Sequence, residues 1–322
     1  MNYNLEELGL SEEELFSRVD HSDVESEKIT APRYSYWHSV MRVFFKKKIN
    51  IFILVLLGII ILMSYVYPMF TEYDPYANVL SDAHKHLSPA KAINQLGFNI
   101  HNILGTGAAG QSTFDAVWYG SRISISLAFI CAAINITVGV IVGAIWGFSK
   151  KVDAFMQEVY YIISNIPYIL LISVMIMLYS PSFWTLVLAM TITGWLTIAY
   201  FIRTQVIIIR DREYNLASKC LGTSTFKIAM KNILLFMTSI IVTLIAQEIP
   251  SYIGYEMFLA YIGMGIKQQS LGKMMYQAES AMVTPGWQFE FWSPVVVASL
   301  IAVVLYVAGQ NLGDASDPRT HM

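Results

Sequence analysis

Charged residues are scarce in this 322-residue chain: Asp, Glu, Lys and Arg make up only 14% of it, whereas about 25% is usual in soluble proteins. The net charge of −2 provides no basic surface of the kind that nucleic-acid binding requires. Two cysteines, Cys131 and Cys220, are too few for a disulfide framework. The sequence also lacks a glycine-rich loop ending in Lys-Ser or Lys-Thr, so we expect no nucleotide site of that type. No catalytic triad or metal-ligand spacing is present either, and we expect neither a catalytic centre nor a bound metal.

Hydrophobic residues are abundant, at 55%, and they cluster into six runs. A helix of about 20 apolar residues crosses a hydrocarbon layer of about 30 Å. Its backbone must satisfy its own hydrogen bonds there, which favours helices over loops or open strands. The sequence therefore predicts an all-α integral membrane protein with six transmembrane helices, at about 49–67, 123–148, 159–179, 183–202, 233–253 and 291–312.

The distribution of lysine and arginine predicts the orientation of these helices. With the N-terminus inside, sixteen of these residues lie on the cytoplasmic side and four on the outer side, and both termini are cytoplasmic. The predicted parts are an acidic N-terminal tail (1–48), a first transmembrane helix (49–68), an outer loop (69–120), a five-helix core (121–312) and a C-terminal tail (313–322). Within the core, 203–231 is a cytoplasmic loop, and 254–290 is a stretch on the outer side that dips along the membrane surface or re-enters the membrane.

The cytoplasmic loop is too polar for lipid and has the residues of a short helix. Asp211 is a suitable N-cap, and Gly222 is a suitable left-handed terminator. Ser224 is expected to cap a second helix, which leads into the fifth span. An amphipathic helix between two spans lies on the lipid surface or docks into a groove of a partner, and periodicity alone favours neither.

Residues 213–222 of this loop read E-Y-N-L-A-S-K-C-L-G. They resemble the EAA loop of permease subunits of bacterial ABC importers, whose peptide and nickel branch reads E-Y-x-E-A-A-x-x-L-G. Leu216 replaces the motif's glutamate, Ser218 its second alanine, and Leu235 a proline that usually follows. Four further stretches are similar to family segments in the same order: 104–124, Ile166-Pro167, 258–265 and 311–319. The last of these is similar to the ending of C-type oligopeptide permeases.

The resemblance implies a type I ABC importer permease fold (MetI-like) in a bacterial cell membrane, with no cofactor bound by this chain. It implies a second homologous permease, two cytoplasmic ATPases that hold ATP and magnesium, and an extracellular peptide-binding lipoprotein as partners. Dipeptide and nickel importers share the motifs and remain alternatives. The loop would couple to an ATPase through Arg212, Glu213, Tyr214, Asn215, Leu216, Ala217, Ser218, Lys219, Cys220, Leu221 and Gly222. Leu216, Ala217, Cys220 and Leu221 are expected to form its apolar face, and Arg212, Glu213, Asn215 and Lys219 its polar flanks.

A line of polar residues marks the fifth predicted span. Its members recur every fourth residue and share one helical face: Ser239, Thr243, Gln247, Ser251 and Tyr255. Together with Glu248 and Asn165, they are candidates for lining a transport pathway. Hydrogen bonding between helices is an equally good interpretation. Glu248 also leaves open an ion-coupled secondary transporter, although the inverted repeats common in that class are missing.

Two local features concern packing rather than transport. Gly139, Gly143 and Gly147 repeat every fourth residue, which indicates close helix contact. Asn165 and Pro167 predict a kink in the third span.

Overall fold

The computed structural model describes residues 36–74, 82–234 and 236–317. Throughout this part the ordered elements are helices, apart from an isolated bridge between Thr106 and Ser112. The prediction of an all-α protein is thereby confirmed. The chain divides into a unit ending at His38, most of which lies outside the described residues, and a unit that begins at Ser39.

The first half of the chain contains seven of the helices. A π-helical turn, Leu62–Val66, joins the second helix to the third, and two single 3₁₀ turns flank the fourth. The seven helices are α1 (Tyr36–Lys46), α2 (Lys48–Ile61), α3 (Tyr67–Phe70), α4 (Pro89–Leu96), α5 (Thr113–Phe148), α6 (Lys150–Ser164) and α7 (Tyr168–Leu178).

The second half begins with two apolar helices and ends on a long one. Two π-helical turns, Ala229–Ile233 and Ala260–Met264, interrupt it. Its helices are α8 (Phe183–Thr191), α9 (Trp195–Arg210), α10 (Glu213–Cys220), α11 (Thr225–Ile228), α12 (Thr238–Leu259), α13 (Leu271–Gln277), α14 (Glu279–Val283) and α15 (Gln288–Ala315).

Length and composition qualify four helices of the described part as membrane spans: Lys48–Phe70, Thr113–Phe148, Phe183–Arg210 and Gln288–Ala315. The pair α6 and α7 makes a fifth if the bent helices count as one span. The remaining expected span, the fifth along the chain, corresponds to α12, whose Gln247, Glu248 and Pro250 make it less apolar.

Two of these spans are longer than the apolar runs that predicted them. The first continues beyond Pro68, because Pro68 lies in the opening turn of α3, where a helix does not need its missing N–H. The second begins ten residues before its apolar run, at Thr113. Ser112 caps it by accepting a hydrogen bond from the backbone N–H of Asp115 at 3.1 Å.

Helix α5 is the centre of the packing and lies against α9 and α12. The glycine ridge makes the contact with α9 close. A Cβ added at Gly143 would lie 2.5 Å from the carbonyl oxygen of Ala199, and one added at Gly147 would lie 2.7 Å from Val206 Cβ. The prediction that these glycines serve packing is confirmed.

The third expected span is broken in two. Helices α6 and α7 meet at an angle of 76° across residues 165–167. Asn165 ends α6, and Pro167 precedes α7. The predicted kink is confirmed at this position.

Candidate functional site

The short helix α10 is set off from the long helices by defined ends. Arg212 is its N-cap in an extended conformation, and no side chain caps it. Gly222 ends it with φ +80°, and its N–H donates to the carbonyl of Lys219 at 3.0 Å. Ser224 accepts from the N–H of Lys227 at 3.4 Å and so begins α11, as expected.

Asp211 was the expected N-cap of α10, and this expectation is wrong. Its carboxylate is held instead by the guanidinium of Arg210, at 3.1 and 3.2 Å, one residue before the cap. The adjacent Arg210 charge lowers the pKa of the Asp211 carboxyl. Arg210 also donates to the carbonyl of Gly147 at 2.6 Å, which ties the end of α9 to the end of α5.

Asn215 anchors α10 to the rest of the chain. Its side-chain amide donates to the carbonyl of Ile209 at 2.9 Å, and its amide oxygen accepts from the side chain of Asn232 at 3.0 Å. Only 2% of the residue is exposed. Asn215 was expected on a polar flank that meets a partner, but it is buried, and the chain itself uses both ends of its amide.

The opposite side of α10 is uncovered. Helical geometry places Ala217 and Cys220 roughly opposite Asn215, with Leu216 and Leu221 to either side. All four are exposed, Leu216 by 49% and Leu221 by 86%. An isolated helix of eight residues is unstable in water, so the anchor and the caps must hold this one in place. The result is a fixed helix that presents an apolar face.

Two clefts flank α10. One, of about 380 Å³, is lined by Lys150, Arg210 and Lys219 beside Leu216. The other, of about 490 Å³, lies between Arg212 and Tyr214 on one side and Phe236 on the other. The remaining residues of the predicted site lie on this exposed surface or at its edge: Glu213, Ser218, Lys219 and Gly222. The helix thus combines an apolar face with margins that carry both charges, Arg212 and Lys219 beside Asp211 and Glu213.

The polar line on α12 divides into two parts. At its beginning, Ser239 donates to the carbonyl of Gly313 in α15 at 2.9 Å, and Thr243 donates to the carbonyl of Ser239 at 3.0 Å. Further along, Gln247 and Ser251 are exposed. The first two thus pack within the chain, and only the later part presents a polar surface.

Tyr255, at the end of the polar line, contacts the start of α7. The ring of Tyr255 meets that of Tyr168 edge to face at 5.2 Å, and Tyr168 begins α7 just after Asn165. Asn165 is exposed, and its amide donates to the carbonyl of Tyr161. Glu248 is half-buried beside the line. The polar line thus has one contact with α7, through Tyr255, next to the break between α6 and α7.

The sequence interpretation missed a buried cluster next to this surface. The amide of Asn135 donates to the carbonyl of Met190 at 3.1 Å and to the hydroxyl of Tyr252 at 2.6 Å. Asn135 is fully buried, and Tyr252 is 2% exposed. A single Asn inside the apolar run of α5 was the available signal, since a polar group there needs a partner from another helix.

The sequence of the chain matches a family of known proteins. The sequence model of the family described as "Binding-protein-dependent transport system inner membrane component" matches residues 135–322. AmiD of Streptococcus pneumoniae, an oligopeptide transport system permease protein, is 43% identical over 96% of this chain and 98% of its own. The chain belongs to this family. A second model, for the N-terminal TM domain of oligopeptide transport permease C, matches residues 35–89 of the permease.

More distant relatives extend the comparison. OppC of Bacillus subtilis is 32% identical over 92% of this permease and 93% of its own length. DppC of the same organism, a dipeptide transport system permease protein, is 28% identical over 95% of this chain and 93% of its own length. A chain of the MetNI methionine ABC transporter shares the fold, with a TM-score of 0.53 over 62% of this chain and 96% of its own at 16% identity. The resemblance to ABC importer permeases is confirmed, and so is the MetI-like fold.

Proposed function

We propose that this chain is a membrane-spanning permease subunit of an ATP-driven importer of oligopeptides. The observation that carries the proposal is α10: Asn215 fixes it to the chain, while Leu216, Ala217 and Cys220 stay exposed. A lipid-surface helix does not need a buried polar anchor, whereas a helix that transmits movement must be rigidly attached at its back. The substrate class is supported by the oligopeptide permeases among the relatives.

The membrane arrangement that fits this function has six spans and cytoplasmic termini. Helix α12 supplies the span that completes the six, since its 22 residues are long enough to cross the bilayer and its polar face packs on α15 or borders a pathway. The excess of lysine and arginine in the N-terminal tail and in 203–231 places both on the cytoplasmic side. The loop 69–120 and the segment 254–290 then face outward.

Import needs partners, because the sequence has no phosphate-binding loop. Two cytoplasmic ATPases would bind ATP and magnesium and receive α10 and its counterpart. A second, homologous permease would complete the pathway against the exposed part of the polar line. An extracellular lipoprotein would deliver the peptide. Transport would follow a nucleotide-driven shift between inward-open and outward-open states.

Replacing Ala217 by Glu tests the coupling role. The substitution places a charge in the middle of the exposed apolar face without touching Asn215. We expect ATP hydrolysis by the assembled complex to continue while peptide uptake falls by at least about tenfold, the effect of losing an interface anchor. Ser280→Glu, which adds the same charge to exposed helix α14, is the matched control.

Wild-type uptake by an assembled Ala217→Glu complex would show that α10 does not couple the subunits. The substrate is tested separately, by competition of dipeptides, longer peptides and nickel for uptake. Competition by dipeptides alone would favour the dipeptide transport that the relative DppC carries out. Inhibition by nickel alone would favour a nickel importer.

A further inference from the structure

A glutamate that the proposed function leaves unused lies at the far end of α12. Glu256 has no exposed surface, and neither has Ser124 of α5 or Ser270. Ser124 donates to one carboxylate oxygen of Glu256 at 2.8 Å, and Ser270 donates to the other at 2.7 Å. The carboxylate is therefore held by two separate parts of the chain, α5 and the residues that follow α12.

The two serines also organise the segment that follows α12. Residues 266–277, which we call the outer segment, begin just after the π-helical turn Ala260–Met264 and include α13. Ser270 is the N-cap of α13 and accepts from the N–H of Lys273 at 3.0 Å. Ser124 accepts from the N–H of Leu271 at 3.1 Å. Each serine thus joins the outer segment to Glu256 and bonds to its backbone as well.

Glycines allow this close approach. A Cβ added at Gly272 would lie 2.6 Å from Ala260 Cβ and 2.8 Å from a carboxylate oxygen of Glu256. One added at Gly120 of α5 would lie 3.0 Å from the carbonyl carbon of Ser270. The outer segment therefore lies against both α5 and α12 with no room for a side chain between them.

A carboxylate buried in this way is stable only while its hydrogen bonds persist, because desolvating a charge is costly. Among the described residues no lysine, arginine or histidine forms an ion pair with Glu256. Its compensation comes from the hydroxyls of Ser124 and Ser270. Detaching the outer segment would remove the Ser270 donor and break the bond from the N–H of Leu271 to Ser124, so the carboxylate opposes that detachment.

Glu256 lies near the end of α12, and the loop that contains α10 comes just before the opposite end of that helix. Helix α12 begins at Thr238, shortly after α10 and α11, and Glu256 lies 18 residues further on. At about 1.5 Å per residue, that distance is about 27 Å, close to the thickness of the hydrocarbon layer. A single helix thus runs from the coupling loop to the carboxylate that holds the outer segment.

We propose that Glu256 is a positioning residue that locks the outer segment to α12 and α5 through hydrogen bonds, so that this segment moves with α12 during transport. The proposal deepens the proposed transport function. Only the movement during transport rests on that function. The attachment itself is a property of the folded chain. The role requires hydrogen-bond acceptors at position 256, not a charge that moves.

A cysteine reporter tests the attachment without any transport. Ala278 ends α13 and is buried, and cysteine differs from alanine by one sulfur atom. The reporter is Ala278→Cys with Cys220→Ser in the full-length, solubilised protein. The parent without the reporter measures labelling of buried Cys131. We expect Glu256→Ala to raise the rate of maleimide labelling by at least about tenfold, because two buried hydroxyls lose their acceptor and local opening becomes easier.

Two variants and one control make the result specific. Glu256→Gln keeps the shape and one acceptor, and we expect its labelling rate to stay within about threefold of the parent rate. Glu279→Ala removes an exposed glutamate from the next helix and should leave labelling unchanged. If Glu256→Ala does not accumulate, Ser124→Ala replaces it, since it removes one donor and leaves the cap of α13 intact.

Unchanged labelling in Glu256→Ala, or in Ser124→Ala where that variant decides, would overturn the proposal. Labelling of Glu256→Gln as fast as that of Glu256→Ala would also overturn it, because charge would then be the essential property. In uptake assays we expect Glu256→Gln to transport and Glu256→Ala to fail. Uptake that stays normal while labelling rises would disprove the link to transport. Since labelling needs neither ATP nor peptide, it succeeds or fails independently of the proposed transport function.

Discussion

The two ends of α12 are built in opposite ways. Near its beginning, α10 is held by the buried amide of Asn215 and leaves Leu216 and Leu221 exposed. At its far end, Glu256, Ser124 and Ser270 are all fully buried, and each serine donates to the carboxylate of Glu256. One end thus leaves an apolar face uncovered and is in that sense incomplete, and the other is complete within the chain. Since one helix joins the two ends, the proposed coupling at α10 and the proposed attachment at Glu256 can be tested against each other.

The comparison predicts that the far end tolerates no added volume. Gly272→Ala places a methyl group against Ala260, Glu256 and the backbone of Met257, at 2.6 to 2.9 Å. We expect the mutation to destabilise the protein by about 2 kcal/mol, as overpacking does, and to speed the labelling of the Ala278→Cys reporter. Thermal unfolding of the purified protein measures the first effect.

Gly254→Ala is the matched control for this prediction. Gly254 belongs to the same helix as Glu256 but has nothing within 4 Å of an added Cβ. The same methyl group should be neutral there, or stabilising by about 0.5 kcal/mol, because alanine favours the helix. Equal effects of the two mutations would mean that the far end is not tightly packed.

A smaller effect is expected at the incomplete end. Asn215→Ala removes both hydrogen bonds that anchor α10 and leaves the side chain of Asn232 without this partner. We expect a loss of about 1 to 2 kcal/mol, confined to the loop, because few other contacts depend on it. Hydrogen exchange of residues 213–222 should rise while that of α12 stays slow.

The functional outcome distinguishes the anchor from the apolar face. Asn215→Ala should reduce peptide uptake and also the stimulation of ATP hydrolysis by peptide. A loosely held α10 cannot dock onto the ATPase in a fixed direction. Ser218→Ala, which removes only a hydrogen bond to the carbonyl of Tyr214, is the control on the same helix. Hydrogen exchange that remains unchanged in Asn215→Ala would disprove its role as the anchor.

Sequence reasoning worked where one physical rule acted alone. Apolar runs predicted the long helices, Gly222 and Ser224 marked the helix ends of the loop, and the break at Pro167 followed from backbone chemistry. It failed where several distant residues share one role. The cap at Asp211 was wrong because Arg210 takes its carboxylate, and Asn215 was misplaced because its partners, Ile209 and Asn232, are separated along the chain.

The clusters around Asn135 and Glu256 could not be predicted in detail for the same reason. A buried polar residue signals that a partner exists, but only the fold shows which of many serines, tyrosines or carbonyls it is. Ser124 and Glu256 are 132 residues apart, and nothing local to either residue indicates the pairing. The candidate pathway residues on α12 are an intermediate case. The sequence showed their four-residue spacing, but it did not show which of them are exposed and which bond to other groups.

The smallest effect is expected on the exposed part of α12, between the two ends. Gln247→Leu removes an exposed polar group without disturbing the hydrogen bond from Ser239 to α15, because Gln247 lies about two turns beyond Ser239. If this surface borders the pathway, uptake should weaken by about threefold for some peptides and not for others, the size of one lost hydrogen bond. The apparent KM for a set of peptides measures it. Ser239→Ala is the control, because it disturbs packing against Gly313 and should lower stability without changing peptide preference. Unchanged uptake of every peptide by Gln247→Leu would assign the whole polar line to packing between helices, and the pathway would then have to be sought on another face.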